Sequence, residues 1–423
     1  MSISNKVYTL REYEGFTRGI EVAGYKWLPE KTFDELETFI LSNHDEDQPT
    51  PLELFSLTAK SFGKVIIARN YVGVIKMQDG TVIEILPKIA GKQISVEQTK
   101  KIFLNMLRHL RTIQFKSFSI ADLQIDRINL FEIFIRMFVD EVLILCKRGL
   151  RSTYSSSDNN ERYYKGKLNV SQHIKHNLFR RDRFFVTFDE FNLNRPENRL
   201  IKSTLLLLQR ISQSSINRSL ITKLLSNFEL IDPSRNYEDD LSRCVSDRNL
   251  RHYQMALSWC QVFLLGNSFT AFAGCKLAYA LLFPMDQVFE SYVAKVLFDE
   301  AGTNHQVRFQ DYRYHLFDFP QKRFALRPDI VVEREGKIVV LDTKWKLLNS
   351  SSRNLGISQA DIYQVYVYAK KYNADSVVLL YPFSDDVKDL VFQFYADDDV
   401  NVSVEFIDLL EPEKSFERVI SKL

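Results

Sequence analysis

Cysteine is scarce in this 423-residue sequence, and no two cysteines form a CxxC pair. Neither a disulfide framework nor a cysteine zinc site is therefore expected. The seven histidines include no HExxH pattern, which argues against a His/Cys zinc site as well. Scattered cysteines in apolar surroundings favour reduced core thiols in a cytoplasmic protein. The four cysteines are Cys146, Cys244, Cys260 and Cys275.

Long apolar runs are also missing. The most membrane-like window, residues 127–146, carries Glu132, Arg136 and Asp140 four residues apart. On a helix these three side chains form one polar stripe, so the window predicts a buried amphipathic helix and no membrane span. The start of the sequence has no apolar run of signal-peptide length.

A nucleotide-binding loop of the GxxxxGK[ST] type is absent. Gly-Lys pairs occur at Gly63, Gly91, Gly166 and Gly336, but none lies in that context. The chain is therefore not expected to hydrolyse a nucleotide by itself.

Net charge is only +2, which excludes a polycation, but the charge is unevenly distributed. Residues 162–183 contain seven Lys or Arg and a single acid, a local charge of +6. Aromatic residues interleave with these cations, a pattern that suits phosphate contacts and base stacking in DNA. A solvated basic face with its aromatics turned inward is the alternative. The predicted DNA contacts in this segment are Lys165, Lys167, Arg180, Arg181 and Arg183.

The pattern of apolar residues changes twice along the chain and predicts an α+β multidomain protein. Residues 1–97 are β-rich, with a hairpin signal at Asp79-Gly80. Residues 98–267 are mostly helical and include a polar stretch, 152–161, that we interpret as a loop. Residues 268–423 mix strands and helices, as in an α/β layer domain.

The stretch RPDIVVEREGKIVVLDTKWK, residues 327–346, predicts a β-hairpin with a two-residue turn at Glu335-Gly336. This turn fixes a register in which Asp329 faces Asp342. Because side chains alternate along a strand, Asp342 and Lys344 share one face. Three charged groups therefore converge on one patch of the sheet.

Two carboxylates that face each other about 5 Å apart repel by about 3 kcal/mol at an effective dielectric of ~20. A divalent cation such as Mg²⁺ would remove this repulsion, since it prefers carboxylate oxygens and leaves positions for water and phosphate. Lys344 could then hold a phosphate oxygen, steady an attacking water or stabilise charge in the transition state. The alternative is a surface hairpin with solvated acids, in which Lys344 neutralises Asp342.

These residues resemble a known nuclease signature. Pro328-Asp329 followed by Asp342-Thr343-Lys344 is similar to the PD-(D/E)xK motif. Glu290 lies on a preceding predicted helix, where this superfamily often supplies another acid. Gln364 and Tyr368 resemble the QxxxY element of RecB-like members.

The order of segments resembles the McrC family, the nuclease subunit of McrBC-type modification-dependent restriction systems. The similarity covers nearly the whole chain and is loosest over residues 1–60. The segments that carry it are NYVGVIKMQDGTVIEILPKI, YKGKLNV, RPENRLIKSTLLLL, FESYVAKVL, RPDIVV, VVLDTKWK and IYQVYVYA.

The resemblance implies a C-terminal PD-(D/E)xK endonuclease domain that uses Mg²⁺, or Mn²⁺ in its place. It implies a partner, an McrB-like AAA+ GTPase hexamer, so GTP enters only through that subunit. The substrate would be double-stranded DNA carrying modified cytosine. Residues 1–97 would dock into the partner ring and stimulate its GTPase.

Roles follow for individual residues. Asp329 and Asp342 are the expected metal ligands, with the carbonyl of Thr343 as a third, and Lys344 is the expected catalytic lysine. Glu290 could reach the metal through water or face solvent. We expect Gln364 to bond a phosphate or the metal water, and Tyr368 to support Gln364. Tyr363 and Tyr366 are expected to pack in the core. Lys346 is expected to touch the DNA backbone.

Two other functions share these features. One is a RecB-like nuclease of DNA repair or recombination that works with another motor. The other is a ring-docking, DNA-binding adapter with an inactive nuclease fold. The intact set of Asp329, Asp342 and Lys344 argues against this second alternative.

Overall fold

The chain forms two compact units, one of which is discontinuous in sequence. The structure, a computed structural model, describes residues 6–41, 54–77, 79–89, 94–110, 128–245, 251–265, 278–300, 306–387 and 392–423. Met1–Ile133 and Ser268–Leu423 form the first unit, and Phe134–Asn267 form the second. The first and last segments expected from the sequence thus share one unit, because a strand from the last segment completes a sheet of the first.

Strands occur along most of the described chain. In order they are β1 (Val7–Arg11), β2 (Gly15–Arg18), β3 (Lys26–Leu28), β4 (Phe55–Lys60), β5 (Gly63–Ala68), β6 (Tyr71–Met77), β7 (Val82–Leu86), β8 (Thr153–Glu161), β9 (Lys167–Leu168), β10 (Phe184–Asn192), β11 (Ala278–Pro284), β12 (Gln306–Phe309), β13 (His315–Phe317), β14 (Arg323–Ala325), β15 (Ile330–Arg334), β16 (Lys337–Thr343), β17 (Ser376–Pro382), β18 (Phe392–Tyr395) and β19 (Asn401–Ile407).

The described residues also form eleven α-helices. They are α1 (Glu30–Leu41), α2 (Val96–Leu107), α3 (Leu130–Arg148), α4 (Val170–Asn177), α5 (Pro196–Ile211), α6 (Ser215–Leu225), α7 (Tyr237–Val245), α8 (Gln254–Leu265), α9 (Met285–Glu300), α10 (Gln359–Tyr372) and α11 (Pro412–Ile420).

Two four-stranded sheets are built mainly from the first ninety residues, in the orders β3-β2-β5-β4 and β1-β7-β6-β11. The hairpin expected at Asp79-Gly80 is confirmed, since β6 and β7 pair antiparallel across it. β11 pairs with β6 and passes so close to Gly73 that a Cβ there would lie 1.9 Å from the Leu281 carbonyl oxygen. Only glycine fits at that crossing.

A six-stranded mixed sheet, ordered β12-β15-β16-β17-β19-β18, carries the predicted hairpin. β15 and β16 pair antiparallel with Arg334 opposite Lys337, which confirms the register set by the two-residue turn. β16 also pairs parallel with β17, so it is covered by a strand on both edges. The apolar runs of β16 and β17 are buried, as expected for strands inside a layered sheet.

Helix α10 packs on this sheet. The Ser358 hydroxyl accepts a hydrogen bond from the Asp361 N–H and caps its first turn. Asn373 ends it in the left-handed conformation, with φ of 48°. Its buried face joins the apolar cluster of β16 and β17 through Val365, Tyr368, Ala369 and Tyr372.

The second unit combines helices with a three-stranded sheet, β8-β10-β9. The loop interpretation of residues 152–161 was wrong, because Thr153–Glu161 is strand β8 and pairs with β10 along its full length. Ser, Asn and Asp have weak strand propensity, but a continuous ladder to the aromatic-rich β10 overrides it. The middle region is therefore less purely helical than expected.

Helix α3 has the polar stripe seen in the sequence, with Arg136 Nε donating to Asp140 Oδ1 at 2.9 Å. No helix within the described ranges is long and apolar enough to cross a membrane. The thiols of Cys146, Cys244 and Cys260 are free, and burial raises the pKa of each. Cys275 lies outside the described residues.

Candidate active site

The two acids of the hairpin lie where its ladder ends. The final antiparallel pair toward this end joins Ile330 with Leu341, and one further step brings Asp329 level with Asp342. Asp329 Oδ2 accepts hydrogen bonds from the Thr343 N–H and hydroxyl, both at 2.7 Å. Thr343 thereby holds the Asp329 carboxylate at the end of β16.

Asp342 is a buried carboxylate with an ionic neighbour. Its side chain is 2% exposed, and its Oδ2 lies 2.7 Å from Lys344 Nζ, as side-chain alternation predicts. Among the described residues, Oδ2 has no hydrogen-bond donor besides this lysine, so the buried oxygen retains acceptor capacity. Burial, followed by the charge of Asp329, raises the pKa of Asp342 to about 7.

Lys344 begins a chain of polar contacts along α10. Its Nζ donates to Gln364 Oε1 at 3.0 Å, and Gln364 Nε2 donates to the Tyr368 hydroxyl at 2.8 Å. The Tyr368 hydroxyl donates in turn to the Arg327 carbonyl at 3.2 Å. Burial alone would lower the pKa of Lys344, but the Asp342 carboxylate outweighs it and the pKa is raised. The lysine is therefore held as a cation.

Asp361 is an acid of this group that the sequence reasoning missed. Its Oδ1 lies 4.0 Å from Lys344 Nζ. It precedes Gln364 by three positions on α10, which places both on one helix face. That spacing, read together with the QxxxY element, was the signal that could have found it.

Glu290 on α9 connects to the hairpin through a residue that sequence reasoning did not single out. Gln310 Nε2 donates to Glu290 Oε1 at 2.8 Å, and the Gln310 N–H donates to the Asp329 carbonyl at 2.9 Å. Gln310 adopts a positive φ of 44°, which is uncommon outside glycine. The helix acid is thus tied through Gln310 to the backbone of Asp329, directly before β15.

The core packing expected for two tyrosines of α10 was wrong. Tyr363 is 62% exposed and Tyr366 is 38% exposed. Helical spacing gives the buried face to Val365, Tyr368 and their neighbours, so these two rings lie off it. The Tyr366 hydroxyl instead bonds the Asp398 carboxylate.

Lys346, which was expected to touch DNA, is exposed, and its Nζ donates to the Gly356 carbonyl at 2.5 Å. This bond holds its ammonium against the loop that precedes α10.

The basic segment of the second unit divides into engaged and exposed cations. Lys165 pairs with Glu161 at 3.2 Å and lies 3.5 Å from the Phe188 ring centroid. Arg183 donates to the Asn160 carbonyl at 3.4 Å. Within this segment, the predicted DNA contacts with exposed side chains are Lys167, Arg180 and Arg181.

The donor set fits a hard divalent cation completed by water and phosphate. Among the residues that the structure describes, no group of three or more His, Cys, Asp or Glu could hold a metal ion. Asp329 and Asp342 are nevertheless close enough for the charge of one to raise the pKa of the other. Mg²⁺ is commonly held by one or two carboxylates plus substrate phosphate, which is what this pair offers.

Comparison with known families identifies the chain. The family model described as McrBC 5-methylcytosine restriction system component matches residues 66–382, well over half of the sequence. The chain therefore belongs to this family of restriction-system components. The resemblance to its McrC members, noted in the sequence, is confirmed.

Two solved structures share the fold. A chain in the refined half-complex from a tetradecameric assembly of Thermococcus gammatolerans McrB AAA+ hexamers with bound McrC is 21% identical, with a TM-score of 0.73. The alignment covers 99% of this chain and 100% of that one. A chain in the cryo-EM structure of the Thermococcus gammatolerans McrBC complex is 22% identical, with a TM-score of 0.52 and coverage of 69% and 87%. No curated protein matched the chain.

Proposed function

We propose that this chain is the Mg²⁺-dependent DNA endonuclease subunit of a restriction complex directed at modified cytosine. The observation that carries the proposal is the grouping of Asp329, Asp342 and Lys344 at the end of β16, supported by Gln364. An acidic pair beside a lysine cation is what a PD-(D/E)xK phosphodiesterase requires. The family match adds the restriction system to which such a nuclease would belong.

The metal would be held by Asp329 and Asp342, with the Thr343 carbonyl as a third ligand. When bound, Mg²⁺ or Mn²⁺ supplies Lewis-acid stabilisation of the phosphate charge and lowers the pKa of a coordinated water. The Thr343 hydrogen bonds fix the Asp329 carboxylate, so the site is partly preorganised. Burial of Asp342 strengthens its attraction for a cation.

Lys344 would act on the phosphate or on the attacking water. Its raised pKa keeps it protonated, which favours a role in stabilising negative charge over a role as general base. Gln364 and Tyr368 hold its ammonium group in place, and the amide of Gln364 can also bond a phosphate oxygen. Glu290, tied to Gln310, would complete the acidic edge of the site.

The partner would be an McrB-like AAA+ GTPase hexamer, in keeping with the assemblies in which the structural neighbours were solved. The chain itself has no GxxxxGK[ST] loop, so GTP would act only through that partner. Residues 1–97 would form the docking element.

DNA would also contact the basic segment of the second unit. Lys167, Arg180 and Arg181 present exposed cations for phosphates. The side chain of Phe179 is 94% exposed beside them and offers a stacking surface. Lys165 and Arg183, which have internal partners, would contribute less.

The test is cleavage by the reconstituted complex with Asp342→Ala in this chain. We expect cutting of methylated duplex DNA to be lost while complex assembly and partner GTPase remain at the wild-type level. Undiminished cutting would refute the site. Efficient cutting by the wild-type chain alone with Mg²⁺ would instead favour a RecB-like repair nuclease.

A further inference from the structure

A buried glutamate of the N-terminal sheets reaches the segment that carries the catalytic lysine. Glu12, directly after β1, is 1% exposed. Its N–H donates to the Leu86 carbonyl at 3.0 Å, and its Oε2 accepts from the Lys88 N–H at 2.8 Å. The glutamate is therefore fixed at both backbone and side chain to the end of β7.

The other partner of Glu12 is Trp345. The indole Nε1–H lies 2.9 Å from Oε2 and 3.1 Å from Oε1 of the glutamate, a shared hydrogen bond. Trp345 is 333 residues away in sequence, so this is a long-range tie within the first unit. Burial raises the pKa of Glu12 to about 7, and above that pH the bond is to a charged carboxylate, which makes it stronger than one between neutral groups.

Trp345 lies between two parts of the candidate site. It directly follows Lys344, and its ring contacts Phe289 with centroids 5.4 Å apart. Phe289 is fully buried and precedes Glu290 on α9. One side chain thus borders both the lysine and the helix acid.

Lys344 needs such support because it lies just beyond the sheet. β16 ends at Thr343, and residues 344–349 have no regular structure. The Lys344 N–H still donates to the Leu380 carbonyl at 2.8 Å, which holds one side of the backbone. The neighbouring indole is the next anchor along the chain.

From this geometry we infer that Glu12 is a positioning residue for the nuclease site and acts through Trp345. The hydrogen bond between them holds the segment that places Lys344, and the packing on Phe289 places the helix that carries Glu290. The inference rests on the proposed nuclease function. It adds a direct physical connection between the expected docking segment, 1–97, and the residues of phosphodiester cleavage.

A cavity lies beside this hydrogen bond. A cavity of about 360 Å³ is lined in part by Glu12, Tyr13, Lys88 and Trp345. Tyr13 lies there with a positive φ of 66°, a conformation that costs free energy in any residue with a Cβ. Anything that displaces Glu12 at this wall would act directly on the Trp345 indole.

The experiment compares Trp345→Phe, Glu12→Ala and the double variant in the complete complex with its AAA+ partner. Trp345→Phe keeps an aromatic ring against Phe289 and removes the N–H donor together with part of the indole. We expect each single variant to lower kcat by about 10- to 100-fold with little change in the KM for DNA, because small displacements of catalytic groups have effects of this size. The double variant should lose no more than the worse single one, since both remove the same bond.

Glu84→Ala is the matched control. Glu84 is also a buried carboxylate of the N-terminal sheets, but it binds Lys100 at 2.9 Å, the Leu130 N–H at 2.7 Å and the Thr9 hydroxyl at 3.3 Å. Glu84→Ala should lower the Tm at least as much as Glu12→Ala does. At temperatures below its Tm, its kcat should stay near the wild-type value.

A second readout does not depend on cutting. Titration of the full chain with Mn²⁺ should give similar affinities for wild type and Trp345→Phe, since Asp329 and Asp342 are unchanged. Three outcomes would each overturn the positioning role. They are cutting at the wild-type rate by both single variants, losses that multiply in the double variant, and a kcat that changes only in proportion to the Tm. Failure of the wild type to bind Mn²⁺ or to cut would instead count against the proposed function.

Discussion

Asp329 and Thr343 are joined by a double hydrogen bond, in which one carboxylate oxygen accepts both the N–H and the hydroxyl of the threonine at 2.7 Å. Neither donor carries a charge, so the negative charge of Asp329 is oriented but not neutralised by Thr343. Burial and this neighbouring charge together raise the pKa of Asp342 to about 7. Without a metal, the site therefore holds an acid that ionises near neutrality.

The first prediction concerns stability without metal. Asp342 has a pKa of about 7 in the fold against an ordinary value of 3.8, so it favours folding when protonated and this contribution is lost as pH rises toward 7. In chelator at pH 8, the Tm of Asp342→Asn should therefore lie a few degrees above that of the wild type. Each kcal/mol of added stability raises the Tm by about 2–4 °C. At pH 5 the gain should be smaller, and below the ordinary pKa of 3.8 it should disappear. A variant that is less stable than wild type at pH 8 would contradict this electrostatic account.

The second prediction is the pH dependence of metal binding. A metal binds the ionised carboxylate, so protons compete with it below the pKa of Asp342. For a pKa near 7, the apparent Kd for Mn²⁺ should fall about fivefold from pH 6 to 7 and less than twofold from pH 7 to 8. Isothermal titration calorimetry at the three pH values measures this. Equal affinities at pH 6 and 8 would show that Asp342 is not a ligand.

The third prediction separates two lysines of the same strand region. Lys344→Ala should lower cleavage by the complex by about 10³-fold, because charge on the transition state loses its cation. Lys337→Ala, at the exposed opposite end of β16, is the control and should cleave like wild type. Single-turnover cleavage of methylated duplex DNA measures both. Equal rates for the two variants would remove Lys344 from the mechanism.

Much of this site was predictable because its geometry is local. The two-residue turn fixed the register of β15 and β16, so the approach of Asp329 to Asp342 followed from counting residues. The helical spacing of Gln364 and Tyr368 predicted their contact in the same way. Short-range rules were sufficient for both.

Other features could not be read from local patterns. β8 is a strand because of its pairing with β10 and not because of its own composition. The contacts of Gln310 with Glu290 and of Glu12 with Trp345 join residues far apart in sequence, and no periodicity marks them. Such contacts depend on tertiary structure, which a single sequence does not specify by pattern alone.

The fourth prediction concerns the support of Lys344 by α10. Gln364→Ala removes the acceptor at 3.0 Å from the lysine and should lower kcat by about 10- to 100-fold, with DNA binding retained. Gln359→Ala, on the first turn of the same helix and bonded to the exposed Tyr363, is the control. Cleavage kinetics over a range of DNA concentrations distinguish kcat from KM. A change in KM alone would make Gln364 a DNA contact only.

The fifth prediction tests the basic segment. A double variant, Arg180→Ala with Arg181→Ala, should weaken DNA binding and reduce the slope of log K against log salt by about 2, since two phosphate contacts are lost. Lys165→Ala should leave the slope nearly unchanged, because that lysine is engaged with Glu161 and Phe188. Fluorescence anisotropy at several salt concentrations gives both slopes. Identical slopes for wild type and the double variant would place the DNA elsewhere.

The Glu335-Gly336 turn lies at the far end of the hairpin from the acids, yet it determines which residues meet there. Side chains alternate with a period of two, so one residue inserted into or deleted from β16 would turn Asp342 and Lys344 together to the opposite face of the sheet. The composition of the strand would hardly change. Length variation among related chains should therefore collect in loops outside this hairpin, and a chain of this family with an odd insertion in it should have lost its chemistry.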